Sequence, residues 1–158
     1  MRHLRFESPI GELLLVASDQ GLSYVAFSDE NYAACTVGST PGSNAILAQA
    51  VAELKEYFAG QRTDFSTPLE WPNQNLLSFR GKVQEFLLSI PYGESKTYKQ
   101  IAADLGNAGA VRAVGSACAT NPLPIFAPCH RVLRTDGTLG GYRGGLEAKQ
   151  WLLELEKR

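Results

Sequence analysis

The sequence predicts a two-domain α/β protein: a small antiparallel sheet plus a helix in the first half, and a mostly α, winged helix-turn-helix-like domain in the second. Three observations lead there. Short β-type runs joined by a turn-rich link open the 158-residue chain. Apolar residues at helical spacing dominate the start of the second half. Charge divides at the same place: residues 1–78 carry four Lys and Arg against nine Asp and Glu, residues 79–158 eleven against seven, so the halves are −5 and +4 within a net charge of −1. The domains are expected over 1–75, with the linker at its end, and 76–158.

The elements follow in order. Leu13-Leu14-Leu15-Val16-Ala17 and Ser23-Tyr24-Val25-Ala26-Phe27 flank Ser18-Asp19-Gln20-Gly21 and read as a hairpin. Residues 31–42, with Gly38, Pro41 and Gly42, read as loop. Ser43 is the expected N-cap of a helix with Leu47, Ala50, Val51, Leu54, Tyr57 and Phe58 on one face and Gly60 as its stop. Residues 61–75 contain Pro68 and Pro72 and little periodicity, which suggests a linker. Val83, Phe86, Leu87 and Ile90 mark the next helix, ended by Pro91-Tyr92-Gly93; Tyr98, Ile101, Ala102 and Leu105 mark another, ended by Gly106. A third, over 110–120, turns Ala110, Val114 and Ala117 inward and Arg112, Gly115, Ser116 and Ala119 outward. Thr135-Asp136-Gly137 reads as the turn of a second hairpin, residues 140–145 as a glycine-rich loop, and Ala148, Trp151, Leu152 and Leu155 as the buried stripe of a closing helix, with Glu156 one position beyond.

Composition narrows the function classes. At 44% apolar residues the chain is expected to fold with a core of its own. No apolar run approaches the roughly 18 residues of a membrane span, and Met1-Arg2-His3-Leu4-Arg5-Phe6-Glu7 is too interrupted for a signal peptide, so a cytoplasmic protein with no membrane partner is expected. Cys35, Cys118 and Cys129 lack the close spacing of a zinc site and are odd in number, leaving at least one free thiol. A basic second half suits a phosphate-bearing partner, with modest, salt-sensitive affinity. The outward face of the third helix, one long cation among very small residues, lets a helix backbone approach a groove closely; small residues equally permit tight packing against another helix.

Chemistry concentrates in Asn121-Pro122-Leu123-Pro124-Ile125-Phe126-Ala127-Pro128-Cys129-His130-Arg131-Val132, where a cysteine follows a proline-braced stretch expected to be extended. A thiol reacts as the thiolate, whose pKa of about 8.5 must be lowered by a base or positive field; His130 and Arg131 are the nearest candidates. On an extended chain His130 reaches Cys129 only if the backbone turns there or a water bridges them. The loop Gly140-Gly141-Tyr142-Arg143-Gly144-Gly145 lacks the order of a dinucleotide-binding turn and suits close backbone approach to something planar. Cys118, in the third helix, reads either as a small packing residue, the favoured reading, or as a residue that lies near DNA.

The run Ile90-Pro91-Tyr92-Gly93, Thr97-Tyr98, Ile101-Ala102, Arg112-Ala113-Val114-Gly115, Asn121-Pro122, Pro128-Cys129-His130-Arg131-Val132, Gly141-Tyr142, Gly144-Gly145, Lys149 and Leu152-Leu153 resembles the O6-alkylguanine-DNA alkyltransferases, also called methylated-DNA–protein-cysteine methyltransferases. The likeness covers about half the chain; Tyr57-Phe58-Ala59-Gly60 and Pro68-Leu69 extend it more loosely into the first half. The resemblance implies DNA repair by irreversible, stoichiometric transfer of an alkyl group from O6-alkylguanine in duplex DNA to Cys129, with minor-groove binding and base flipping; O4-alkylthymine is left open as a second substrate. It implies Cys129 as nucleophile, His130 as base through a water, Glu156 as the carboxylate orienting His130, and Tyr98 as the group that assists extrusion or protonates the departing guanine. Arg112 would enter the duplex, with Tyr98, Gly115, Ser116 and Ala119 on the DNA-facing surface. Asn121, Pro124, Val132, Tyr142, Arg143 and Gly144 would form the substrate pocket, Asn121 bracing the turn behind the helix.

Three positions depart from the family pattern: Gln84 where a Trp is usual, Ala108 where a Pro is usual, and Arg143 where some members have a small polar residue. Only His3 and Cys35 resemble metal ligands in the first half, so no metal and no cofactor are expected, and the protein is expected to be a monomer. The alternative is a non-catalytic protein that recognises alkylated DNA; it would lack the reactive cysteine. A transcription regulator would carry several polar base-reading side chains on the third helix, and a cysteine hydrolase would turn over an ester.

Overall fold

The computed structural model describes residues 1–72 and 77–158, and the chain divides into two compact units, Met1–Pro72 and Asn73–Arg158. The fold class is the one the sequence predicts.

In the first unit β1 (Arg2–Ser8), β2 (Gly11–Ala17), β3 (Leu22–Phe27) and β4 (Thr40–Pro41) form one sheet in the order β3-β2-β1-β4. β1–β2 and β2–β3 are antiparallel; the short β4 lies parallel to β1. The expected hairpin is β2–β3. β1 and β4 were not expected, because β1 alternates polar residues and β4 is two residues inside a stretch read as loop. That stretch also holds a one-turn helix, α1 (Tyr32–Cys35), capped by the Asn31 side chain. Leu13 through Ala17 are all buried, which explains their unbroken apolar run: α2 (Ala45–Phe58) packs on the sheet, and Tyr32 and Cys35 pack against a cluster of Leu14, Val16 and Ala26. The N-cap of α2 is Asn44 rather than Ser43; its Oδ1 accepts from the Leu47 amide at 2.9 Å while its Nδ2 donates to Ala17. Gly60 follows the helix end at φ +76°.

Residues 61–72 do not form a free linker. The buried Glu53 carboxylate of α2 accepts from the Thr67 hydroxyl (2.5 Å) and amide (2.9 Å) and from the Ser66 amide (3.1 Å). Leu22 then exchanges backbone hydrogen bonds with Pro68 and Glu70, both 2.8 Å, adding a rung to the edge of β3. The rest of the expected linker, 73–75, and the expected domain boundary lie outside the described residues.

In the second unit α3 (Phe79–Leu87) and α4 (Tyr98–Asp104) both pack on α5 (Val111–Ala119). α4 and α5, joined through Gly106 at φ +76°, are the expected helix-turn-helix. α3 ends at Leu87, one turn before the expected stop, yet Ile90 remains buried. Gln84 is buried and its amide donates to the Ala117 carbonyl at 3.0 Å, linking α3 to α5 by a hydrogen bond. Val132–Leu133 is a strand, β6, but it pairs in parallel with β5 (Lys96–Thr97) instead of closing a hairpin. The turn at 134–138 forms, with Arg134 and Thr138 bonded at 2.9 Å, but no strand follows it. α6 (Leu146–Glu156) closes the chain, burying Ala148, Lys149, Leu152, Leu155 and Glu156; Trp151 stays partly exposed.

Candidate active site

Residues 121–132 are buried without exception, and a chain so enclosed must satisfy its own backbone. It is not extended as expected: Ala127 donates back to the Leu123 carbonyl at 2.8 Å, Cys129 to Ala127 at 2.8 Å, and Cys129–Arg131 form a 3₁₀ turn. Asn121 staples the loop, its Nδ2 donating to Ala127 (2.8 Å) and its Oδ1 accepting from Leu123 (3.0 Å). Ile125 sits at φ 75°, among described residues the one non-glycine in the left-handed region, a strained conformation for a β-branched side chain.

The 3₁₀ turn sends consecutive side chains in different directions. Cys129, 6% exposed, reaches a cavity of about 550 Å³ between α5 and the glycine-rich loop, lined also by Tyr98, Arg112, Cys118, Tyr142 and Arg143. His130 points away into the protein, fully buried, with Nε2 2.7 Å from Glu156 Oε2. Arg131, a candidate for the field on the thiol, instead grips the same carboxylate from its other edge (Nε to Oε1 2.8 Å, Nη2 to Oε2 3.0 Å) and donates from Nη1 to the Ile90 carbonyl at 2.6 Å. The bidentate guanidinium fixes the orientation of the Glu156 carboxylate. The carboxylate in turn holds a proton on His130 Nε2, leaving Nδ1 as the lone-pair nitrogen; Nδ1 is buried and has no hydrogen-bond partner among the described residues.

Burial sets the proton balance. It lowers the His130 pKa below the usual imidazole range, against the opposing pull of Glu156, so the ring is neutral at neutral pH. Burial also raises the Cys129 thiol above its ordinary value, while the Asn121 amide and the Arg143 and Lys149 cations favour the thiolate. The Tyr98 hydroxyl is pushed up to about 12, chiefly by burial, so it remains a proton donor.

Tyr98 is the first residue of α4, positioned by a Thr97–Gln100 capping box and by the β5–β6 pairing that joins this helix start to the strand after Cys129. Gly140, at φ +69°, makes room for it: a Cβ there would stand 3.0 Å from the Tyr98 hydroxyl. Lys149 anchors the loop from behind, its buried ammonium donating to the carbonyls of Val132 (2.7 Å), Leu139 and Gly141 (3.2 Å).

Matched against family models, residues 78–158 fit the 6-O-methylguanine DNA methyltransferase DNA-binding domain and residues 1–71 the ribonuclease-like domain of the same proteins. The chain belongs to the 6-O-methylguanine DNA methyltransferase family. Among this family's members, the methylated-DNA–protein-cysteine methyltransferase of Mycobacterium leprae is 44% identical over 99% of this chain and 93% of its own, and the constitutive one of Bacillus subtilis 43% over 96% and 92%. The crystal structure of the Mycobacterium tuberculosis OGT in complex with DNA superimposes with a TM-score of 0.90 at 39% identity, covering 99% of this chain and 93% of that one.

Within this methyltransferase fold, Cys129, Tyr98, Arg112, Gly115, Ala119, Tyr142 and Arg143 meet at one cavity, while His130 and Glu156 stand behind Cys129. Ser116 is exposed on the same helix. Asn121, Pro124, Val132 and Gly144, expected in the pocket, lie outside its lining; the first three are buried in the wall that supports Cys129. The glycine-rich loop, expected to approach something planar, contributes Gly140 and Gly141 to the lining; sequence reasoning missed Val111, Cys118 and Arg134 as lining residues, and the buried roles of Arg131 and Lys149. A lysine inside an apolar helical stripe was the available signal for the last. In the first unit His3 Nδ1 lies 2.6 Å from the Ser39 hydroxyl, and Cys35 packs against the sheet.

Proposed function

We propose that this protein repairs duplex DNA by accepting the alkyl group of O6-alkylguanine on Cys129, once per molecule. The observation that carries the reading is a cysteine at a cavity bordering the outward face of a helix-turn-helix, backed by a neutral buried histidine clamped through Glu156 and Arg131. α5 presents Arg112 among Gly115, Ser116 and Ala119, small enough to let the helix backbone press into the minor groove while Arg112 fills the space of the extruded base. The guanine enters the cavity between Tyr142 and α5.

The thiol is protonated at rest, so chemistry begins when its proton passes, through a bridging water, to His130 Nδ1. The resulting imidazolium is stabilised by Glu156. The sulfur displaces guanine O6 at the alkyl carbon, and Tyr98 protonates the departing base. A thioether has no hydrolysable bond, so Cys129 is spent. Three free cysteines suit a reducing, cytoplasmic setting, and each molecule acts as a monomer, since the cavity is built within a single unit.

Incubating limiting protein with excess O6-methylguanine duplex tests this. Conversion of O6-methylguanine to guanine within the duplex should stop at one per protein molecule; continued conversion would point to hydrolysis. Tight binding with no conversion would make the chain a recognition protein.

A further inference from the structure

The segment Ile90-Pro91-Tyr92-Gly93, whose last three residues were expected to end a helix, meets the buried charges behind Cys129. The Arg131 guanidinium holds Glu156 through two of its nitrogens and donates from the third, Nη1, to the Ile90 carbonyl at 2.6 Å. The Tyr92 ring lies over that guanidinium, with Cζ 5.7 Å from the ring centroid, within the range of a cation–π contact. Gly93, at φ +79°, brings its amide to 3.4 Å from Glu156 Oε1, and a Cβ there would stand 3.2 Å from the Glu156 carbonyl, so the turn lies directly against the end of α6. Tyr92 is partly exposed, whereas Arg131 is 6% and Glu156 5% exposed, so the ring stands between the ion pair and solvent.

We propose that Tyr92 is a positioning residue for alkyl transfer: its ring keeps the Arg131 guanidinium in bidentate contact with Glu156, and thereby fixes the hydrogen bond through which Glu156 orients His130. The inference deepens the alkyl-transfer reading above and rests on it. The carboxylate is shared. Oε2 lies 2.7 Å from His130 Nε2 and 3.0 Å from Arg131 Nη2, while Oε1 accepts from Arg131 Nε at 2.8 Å. A guanidinium free to rock would draw Oε2 away from the imidazole, and water admitted at its open face would weaken every contact in the set. His130 would then lose the fixed proton on Nε2 that leaves Nδ1 to receive the thiol proton. An aromatic ring suits this cover better than an aliphatic side chain, because its electron-rich face attracts the cation while its bulk excludes water. The Tyr92 hydroxyl stands 3.5 Å from the Leu155 carbonyl, at the outer limit of a hydrogen bond, and adds little.

A ring that only packed would support stability and leave the chemistry alone, and the test separates the two. Tyr92→Phe keeps the ring and Tyr92→Leu does not; each is checked for folding by circular dichroism. Single-turnover methyl transfer from an O6-methylguanine duplex, measured over a range of protein concentrations, separates the saturated rate from duplex affinity. Tyr92→Leu should lose about tenfold in saturated rate at unchanged affinity, while Tyr92→Phe stays within about twofold of the wild type. In a His130→Gln background the change to Leu should add little, because the imidazole through which it acts is gone. If Tyr92→Leu does not fold, Tyr92→Met carries the same comparison. A saturated rate in Tyr92→Leu equal to that of the wild type, whatever happens to stability or affinity, overturns the inference. So does an equal loss in Tyr92→Phe, or a loss added in full to that of His130→Gln. Failure of the wild type to accept methyl from the duplex overturns the alkyl-transfer reading, and the inference with it.

Discussion

Glu156 ends α6, where a carboxylate meets the negative pole of the helix. The position is tolerable because Arg131 neutralises it bidentately and His130 donates to it. Glu156→Ala would leave a guanidinium and an imidazole buried without their partner, and should cost about 3–5 kcal/mol in urea unfolding. The same triad predicts a pH response. The folded His130 pKa lies below the unfolded value near 6.5, so below that pH the unfolded chain binds a proton that the fold resists. Stability should be level above about pH 6.5 and fall as pH drops toward the folded value, a loss that is absent in His130→Gln. Glu53 adds a separate acid limb. Burial opposes its charge, but hydrogen bonds from Thr67, Gln49 and Ser66 prevail and lower its pKa, so its contribution disappears below the ordinary carboxylate range. At this scale the cysteine and histidine proposed for the chemistry stand out because they are neighbours in an unusual run. Arg131 and Lys149 do not, because the partner of a buried cation is set by what folds over it.

Elements place the residues. The β5–β6 pairing ties the first turn of α4 to the strand after Cys129, so Tyr98 and the thiol share a wall although 31 positions separate them in the chain. Gly140→Ala would put a side chain at φ +69° against the Tyr98 ring. It should cost about 1–2 kcal/mol of stability from the left-handed backbone alone and slow alkyl transfer by about tenfold or more by displacing Tyr98. Equal losses in Tyr98→Phe and the double variant would place both changes on one path. The helices α2 to α6 were readable from apolar spacing, and β2–β3 from two apolar runs about a turn. β1, β4 and β5 were not, since a strand with polar alternation, or one of two residues, is defined by its partner and leaves little pattern of its own. The folded loop 121–128 misled in the opposite way: its prolines suggested extension, whereas Asn121 pulls the chain back on itself.

Across the whole molecule, charge and family division agree: the residues matching the DNA-binding domain lie in the basic half. Its excess of four positive charges over residues 79–158 is small. Duplex affinity should weaken as salt rises, at a log–log slope of about −0.9 for each phosphate that a Lys or Arg neutralises; an affinity unchanged by salt in a fluorescence titration would contradict a phosphate-facing second half. No helix among the described residues is long and apolar enough to cross a membrane. Charge and motif together point to a candidate site in the second half, while the cavity itself, made where α5, the loop after β6 and Cys129 converge, exists only in the fold. The measurement that bears most directly on the account is peptide mass spectrometry after mixing the protein with an O6-methylguanine duplex. One methylene mass gained on the Cys129 peptide, and on no peptide of Cys129→Ala, is the predicted result. An unchanged Cys129 peptide in protein that has bound the duplex, or the methyl group found on Cys118 instead, would contradict it.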